Sequence, residues 1–348
     1  MRRLLFAPLL LSACTTGTAT LVTDGGATVI EQDASDDAGD AGDAGPDDCA
    51  RVEVAARRVT PNVYLVIDQS SSMNATFGGS TRWLALRESL LDAEDGLVAS
   101  LEGIVRFGLA LYSARAEGND PGPPIGECPL VELVDADLNN LDSIEAVYGM
   151  RDPIDETPTG EAIEVLTSFL LDRPDPPEDP TIFVLATDGE PDQCSELNPQ
   201  NGQGRSVAAA ETAFAAGVRT FVISVGAGVV SDEHLQDMAN AGLGRGPEDD
   251  NAPFFVAGDD EGLRSALQSI IGGALSCELT LDGRIENLDQ ACTGEVLLNG
   301  RRLECDDPNG WRAIDAERIE LVGTACDEFL AEAGVTLTAS FPCEIILI

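Results

Sequence analysis

The stretch Asn62-Val63-Tyr64-Leu65-Val66-Ile67-Asp68-Gln69-Ser70-Ser71-Ser72 decides how the chain is read. An apolar run of this length without strict alternation marks a strand buried on both faces of a sheet. It ends in an acid, and hydroxyls follow at once. Downstream, helical and extended patterns alternate. Residues 82–101 carry leucines at helical spacing, 104–112 form a second strand, 162–171 a helix and 181–186 a strand. Residues 206–216 are an alanine-rich helix before the strand 219–225, and 232–241 and 261–275 are helices around the short strand 253–257. Such alternation predicts an α/β fold: a doubly wound, Rossmann-like, mostly parallel sheet with helices on both faces. From Cys277 the pattern changes to short alternating segments (278–282, 295–299, 318–322 and 335–341) with one short helix from Cys326, a small β-rich C-terminal domain.

Composition narrows the chemistry. The chain has 348 residues, a formal net charge of −42, 62 acids against 20 basic residues, one His and nine Cys. All the basic residues are Arg. That balance excludes a phosphate backbone as partner, because nucleic-acid binding rests on neutralising phosphates. Without Lys there is no Schiff base, no Ser–Lys dyad and no P-loop lysine. With His234 alone there is no His-rich zinc site and only one candidate for a triad base. Acid-rich chemistry with hard cations and binding functions remain.

One constellation stands out. The first strand runs into Asp68-Gln69-Ser70-Ser71-Ser72-Met73, and the strand at 181–186 into Thr187-Asp188-Gly189-Glu190-Pro191. Glu156-Thr157-Pro158-Thr159-Gly160 lies between them, just before a helix. In open α/β sheets, sites form beyond the carboxyl ends of the strands, so these segments are expected to converge. Two carboxylates and three hydroxyls, with neither His nor thiolate, select Mg²⁺, with Mn²⁺ and Ca²⁺ as the other hard cations suited to such donors. At these residues the chain resembles the von Willebrand factor type A family, which includes the integrin inserted domains, over residues 59–275. Asp68-x-Ser70-x-Ser72, Thr157 and Asp188 are similar to its metal-ion-dependent adhesion site. The resemblance implies Ser70, Ser72 and Thr157 as direct ligands and Asp68 and Asp188 as ligands through water. Thr159 then serves the loop or the helix start. Few direct anionic ligands leave the cation electrophilic, with a position open to an Asp or Glu carboxylate of a partner protein. The opposing reading is a motif that only orders its own loops.

The N-terminal segment is expected to locate the protein. Met1-Arg2-Arg3 precedes an apolar run at 4–11 that is too short to span a bilayer, which reads as a cleaved leader of residues 1–13. Leu11-Ser12-Ala13-Cys14 resembles a bacterial lipobox, implying a lipidated Cys14 and an anchor in the cell envelope. Thr15, rather than Asp, after it favours the outer membrane. Whether the protein faces the periplasm or the outside is left open. Residues 31–48 are built from Asp, Ala, Gly and Ser, a composition that cannot offset chain entropy and extends by like-charge repulsion. The acidic Asp spacing there also raises Ca²⁺, though no calcium loop is completed. The expected division is a leader at 1–13, an acidic linker at 14–48, the α/β domain at 49–276 and the β-rich domain at 277–348.

The eight remaining Cys suggest disulfides in an exported chain. Cys49 and Cys277 flank the α/β domain, whose ends are expected to lie close together, so they are expected to pair. Cys128 and Cys194 are both expected on the site face, and so are expected to pair with each other. Cys292–Cys305 and Cys326–Cys343 are the remaining expectations within the β-rich domain. No C-x-x-C occurs.

The function these readings support is metal-dependent protein binding, in adhesion or assembly, and not catalysis. A structural envelope subunit assembling through its C-terminal domain without metal is the alternative. A hydrolase with metal-activated water lacks a convincing base, since His234 reads as a surface or helix-capping residue. Glu190 and Asp192 read as solvated turn charges or a rim facing the partner, and Trp83 and Trp311 as packing residues. No catalytic residue is assigned.

Overall fold

In the computed structural model, residues 51–347 are described, apart from 55, 116–127, 175–178, 198–199, 227–230 and 332–334. The expected leader, Cys14, the acidic linker and Cys49 lie outside them. Two units are distinguished: a larger one of Arg58–Glu278 with Cys326–Gly334, and a smaller one drawn from Met1–Arg57, Leu279–Ala325 and Val335–Ile348.

The larger unit is built on six strands: β1 (Asn62–Asp68), β2 (Arg106–Ser113), β3 (Leu130–Asp137), β4 (Thr181–Thr187), β5 (Val218–Val225) and β6 (Phe255–Ala257). They lie in the order β6-β5-β4-β1-β2-β3. The pairs β1–β2, β1–β4, β4–β5 and β5–β6 are parallel, and β3 closes the edge antiparallel to β2. Every residue of β1 and β4 is buried, which is why their sequences are continuously apolar. β3 is only partly buried; its mixed Leu-Val-Glu-Leu-Val-Asp pattern carries no clear strand signal, and the sequence reading missed it.

Helices α1 (Arg82–Leu91), α2 (Leu97–Leu101), α3 (Leu141–Tyr148), α4 (Thr159–Leu171), α5 (Gln203–Ala215), α6 (Asp232–Gly242) and α7 (Asp260–Ala274) belong to this unit. Two apolar cores form. In one, Trp83, Leu86 and Leu90 of α1 and Leu263, Leu267 and Ile271 of α7 pack with Val63, Leu65 and Ile67. In the other, Ile163 and Leu166 of α4, Ala210 of α5 and Met238 of α6 pack with Tyr64 and Val66. Alternate residues of β1 thus feed opposite faces, as the pleat requires. The single helix expected at 82–101 is two. Asp92 Oδ1 accepts from the backbone N–H groups of Glu94 and Asp95, a local turn that ends α1.

In the smaller unit Arg51–Val54, Leu337–Pro342, Glu295–Leu298 and Arg301–Leu303 form an antiparallel sheet, and Trp311–Ala313 pairs with Arg318–Leu321. Trp311 and Phe341 meet edge to face at 6.1 Å, a packing role as expected. The domain edges differ from the expectation in two places. Arg51–Val54 is a strand of the smaller unit's sheet, and Cys326–Gly334 belongs to the larger unit.

Cys128–Cys194 and Cys292–Cys305 form as expected. The other expected pairs do not: Cys277 bonds Cys326, with Cα atoms 5.5 Å apart, well inside disulfide reach. This removes both Cys49–Cys277 and Cys326–Cys343. The reason is the placement of Cys326–Gly334 in the larger unit, where the Arg58 guanidinium stands 3.9 Å over the Phe329 ring.

Candidate metal centre

The register of the sheet builds the site. Asp68 is level with Tyr112 of β2, and Ile67 with Ala186 of β4. Asp68 and Asp188 therefore leave adjacent strands at the same carboxyl edge. Asp68 is fully buried; its Oδ1 accepts from Ser70 N at 2.8 Å and its Oδ2 from Thr187 Oγ1 at 2.6 Å. The Ser70 and Ser72 hydroxyls are hydrogen-bonded at 2.8 Å, and Ser72 Oγ donates to Asp188 Oδ1 at 2.7 Å. Four of the five candidate residues thus form one continuous network.

Thr157 arrives on a loop stitched to both neighbouring strand ends. Ile154 N donates to Gln69 O at 2.6 Å, Ser71 N to Asp155 O at 3.2 Å, and Ala114 and Glu156 exchange backbone bonds at 3.2 Å. The Thr157 backbone is held by Asp192, whose Oδ2 accepts Thr157 N at 3.0 Å and whose own N–H donates to Thr157 O at 2.9 Å. A Cβ on Gly189 would lie 3.6 Å from both Ser72 Oγ and Thr157 Oγ1, so the bare glycine leaves a cradle in front of the two hydroxyls. Thr159 turns away: its hydroxyl meets Tyr112 OH at 3.1 Å. It is the first residue of α4, and its hydroxyl also reaches Thr157 O at 3.5 Å, a bond within the loop.

Electrostatics follow from burial. Desolvation, reinforced by the Asp188 charge, pushes Asp68 up to about 7 against the hydrogen bonds from Thr187 and Ser70. Desolvation also raises Asp188, opposed by Ser72 and Arg82. Among the described residues Asp68 has no ion-pair partner. A buried carboxylate without a countercharge, three hydroxyls and a glycine cradle fit a hard divalent cation.

A family model for the von Willebrand factor type A domain matches residues 62–268, more than half of the chain. The chain belongs to the von Willebrand factor type A domain family. No curated sequence matches it significantly. Among solved structures it is similar to the PilB minor pilin from Streptococcus sanguinis (15% identity, TM-score 0.47, covering 62% of this chain and 61% of that one). It is similar to the pilus adhesin SpaC from Lactobacillus rhamnosus GG in its open conformation (12% identity, TM-score 0.48, covering 82% and 39%). It also resembles manganese-loaded Plasmodium vivax TRAP protein (15% identity, TM-score 0.44, covering 77% and 96%). The chain thus spans 61% and 39% of the two pilus proteins.

Within this type A domain three residues support the candidate ligands: Arg82, to which the sequence reading gave no role, Thr187, read only as the end of its strand, and Asp192, read as a turn or rim charge. Thr187 orients Asp68, Asp192 clamps Thr157, and Arg82 pairs with Asp188. Asp192 is buried, not a solvated turn charge. Glu190 is no free rim residue: it accepts from Gln203 Nε2 at 3.0 Å and from Ser231 N at 2.7 Å, tying the starts of α5 and α6. His234 is buried rather than on the surface. Ser231 is the cap, its hydroxyl accepting the His234 backbone N–H at 3.2 Å. Trp83 packs on Tyr148 at 4.5 Å between ring centroids. Among the described residues no helix is long and apolar enough to cross a membrane.

Proposed function

We propose that this protein binds a protein partner through a divalent cation, Mg²⁺ first, at the carboxyl edge of β1 and β4. The observation that carries this reading is the network joining Asp68, Ser70, Ser72 and Asp188 beside the Thr157 hydroxyl and the Gly189 cradle. Ser70, Ser72 and Thr157 would hold the cation directly, and Asp68 and Asp188 would act through water. When bound, the cation supplies an electrophilic centre that an Asp or Glu carboxylate of the partner completes. Thr187 and Ser70 N keep the Asp68 carboxylate aimed, and Asp192 keeps Thr157 in place. The role is adhesion or assembly without catalysis, and the protein is a lipoprotein held at the cell envelope by Cys14.

The test is thermal unfolding with Mg²⁺ or Mn²⁺ against EDTA, paired with capture of envelope proteins under both conditions. Wild type should be stabilised by the cation and retain partners only in its presence, and Asp68→Ala should lose both effects. No cation-dependent shift in the wild type would defeat the proposal.

A further inference from the structure

Asp188 is not a free carboxylate waiting for a cation. Its side chain is wholly buried, and both oxygens are engaged. Oδ1 accepts from Ser72 Oγ at 2.7 Å. Oδ2 accepts from the Arg82 guanidinium, which lies within salt-bridge contact and whose same nitrogen also reaches Ser72 O at 3.4 Å.

Arg82 is built into this position. It is the first residue of α1, directly after the Thr81 cap, whose hydroxyl accepts Leu84 N at 3.3 Å. Its backbone N–H donates to Ala75 O at 3.1 Å, closing the loop that carries Ser72. The side chain is only 13% exposed, and its Nε is buried without a hydrogen-bond partner. Space for it is reserved at the end of β5. Gly226 has φ +119°, and a Cβ there would sit 2.8 Å from both Nε and the second terminal nitrogen of the guanidinium. A cation that gives up solvent and leaves one nitrogen unpaired is held there by its partner.

We propose that Arg82 is a resident counter-cation that neutralises Asp188 and thereby sets how tightly the site holds a divalent metal. The proposal rests on the metal-site reading above. With both carboxylates ionised beside a bound cation, the guanidinium reduces their charge to a single net negative one. A cation bound there keeps more of its own charge for an outside carboxylate than it would between two unopposed acids. Loss of the Arg82 charge makes the site a tighter trap for metal and the bound metal a weaker acceptor for the partner. Arg82 is a positioning residue that acts through Asp188.

The experiment titrates Mn²⁺ and Mg²⁺ calorimetrically into wild type, Arg82→Gln and Arg82→Lys, with unfolding in EDTA followed in parallel. Arg82→Gln should bind Mn²⁺ at least about tenfold more tightly, since a buried countercharge within contact distance is removed. Arg82→Lys keeps the charge and should stay within about threefold of wild type. The metal-free Arg82→Gln protein should melt lower, because Asp188 loses its partner. A second pair guards against misfolding. Asp188→Asn strands the guanidinium and should weaken Mn²⁺ binding, and adding Arg82→Gln should restore it toward wild type. Unchanged or weaker Mn²⁺ binding by folded Arg82→Gln, or a double variant as weak as Asp188→Asn alone, would overturn the proposal. A wild type that takes up neither metal defeats the site reading itself; a wild type that binds beside an indifferent Arg82→Gln defeats only the role of Arg82.

Discussion

His234 shows how burial alone changes what a residue does. It is the only histidine of the chain, and burial lowers its pKa against the pull of Glu190 and Asp237. A histidine whose folded value is depressed resists the proton that the unfolded chain accepts. Stability is therefore complete above the ordinary histidine value of about 6.5 and is lost as pH falls below it toward the folded value. Denaturant midpoints of His234→Leu should consequently drop less between pH 7 and 5 than those of wild type; parallel slopes would show that His234 does not titrate on unfolding. The same scale explains which site residues were legible in the sequence. Asp68, Ser70 and Ser72 sit in one short motif, and Thr157 and Asp188 follow in the expected order. Arg82, Thr187 and Asp192 act on partners 106, 119 and 35 residues away. No local pattern marks them, because what makes them matter is the sheet that brings their partners near.

The elements that carry the site are tied together from outside it. Cys128, just before β3, is bonded to Cys194, two residues beyond Asp192. Cys194 N donates to the buried carboxylate of Glu161 in the first turn of α4 at 2.7 Å, so the disulfide, the Thr157 clamp and the start of α4 form one assembly. The bond closes a loop spanning 66 residues. The chain-entropy model gives about 4 kcal/mol for such a closure. A variant with Ser at both positions should lose stability up to that figure in denaturant titrations, and its Mg²⁺-dependent thermal shift should shrink because Thr157 is held less firmly. A variant with an unaltered midpoint would mean the loop is already confined without the bond. At this scale the buried strands and most helices were readable from their periodicity. β3 was not, since a half-exposed edge strand beginning Leu130-Val131-Glu132 carries neither a full apolar run nor clean alternation. The α1–α2 break was hidden because its cause is an Asp92 turn inside an otherwise helical leucine pattern.

Over the whole molecule, charge is the dominant unbalanced quantity. A formal net charge of −42 makes the compact state repel itself. Screening should relieve that repulsion, so the melting temperature in EDTA should rise as monovalent salt is raised from about 0.01 M to about 0.5 M, over which the screening length falls steeply. A flat or falling response would show that local ion pairs, such as Arg205–Glu164 and Arg312–Glu320, outweigh the net repulsion. The sequence by itself determined the α/β class and the carboxyl edge of the sheet at which Asp68, Ser70, Ser72, Thr157 and Asp188 gather. Each of those rests on local hydrophobic periodicity and on motif order along the chain. Only the tertiary structure decided that Cys277 bonds Cys326, that the strand Arg51–Val54 joins the C-terminal sheet, and that Asp188 is already paired with Arg82. These are choices among distant partners, and distance along a chain says nothing about distance in space until packing has fixed it.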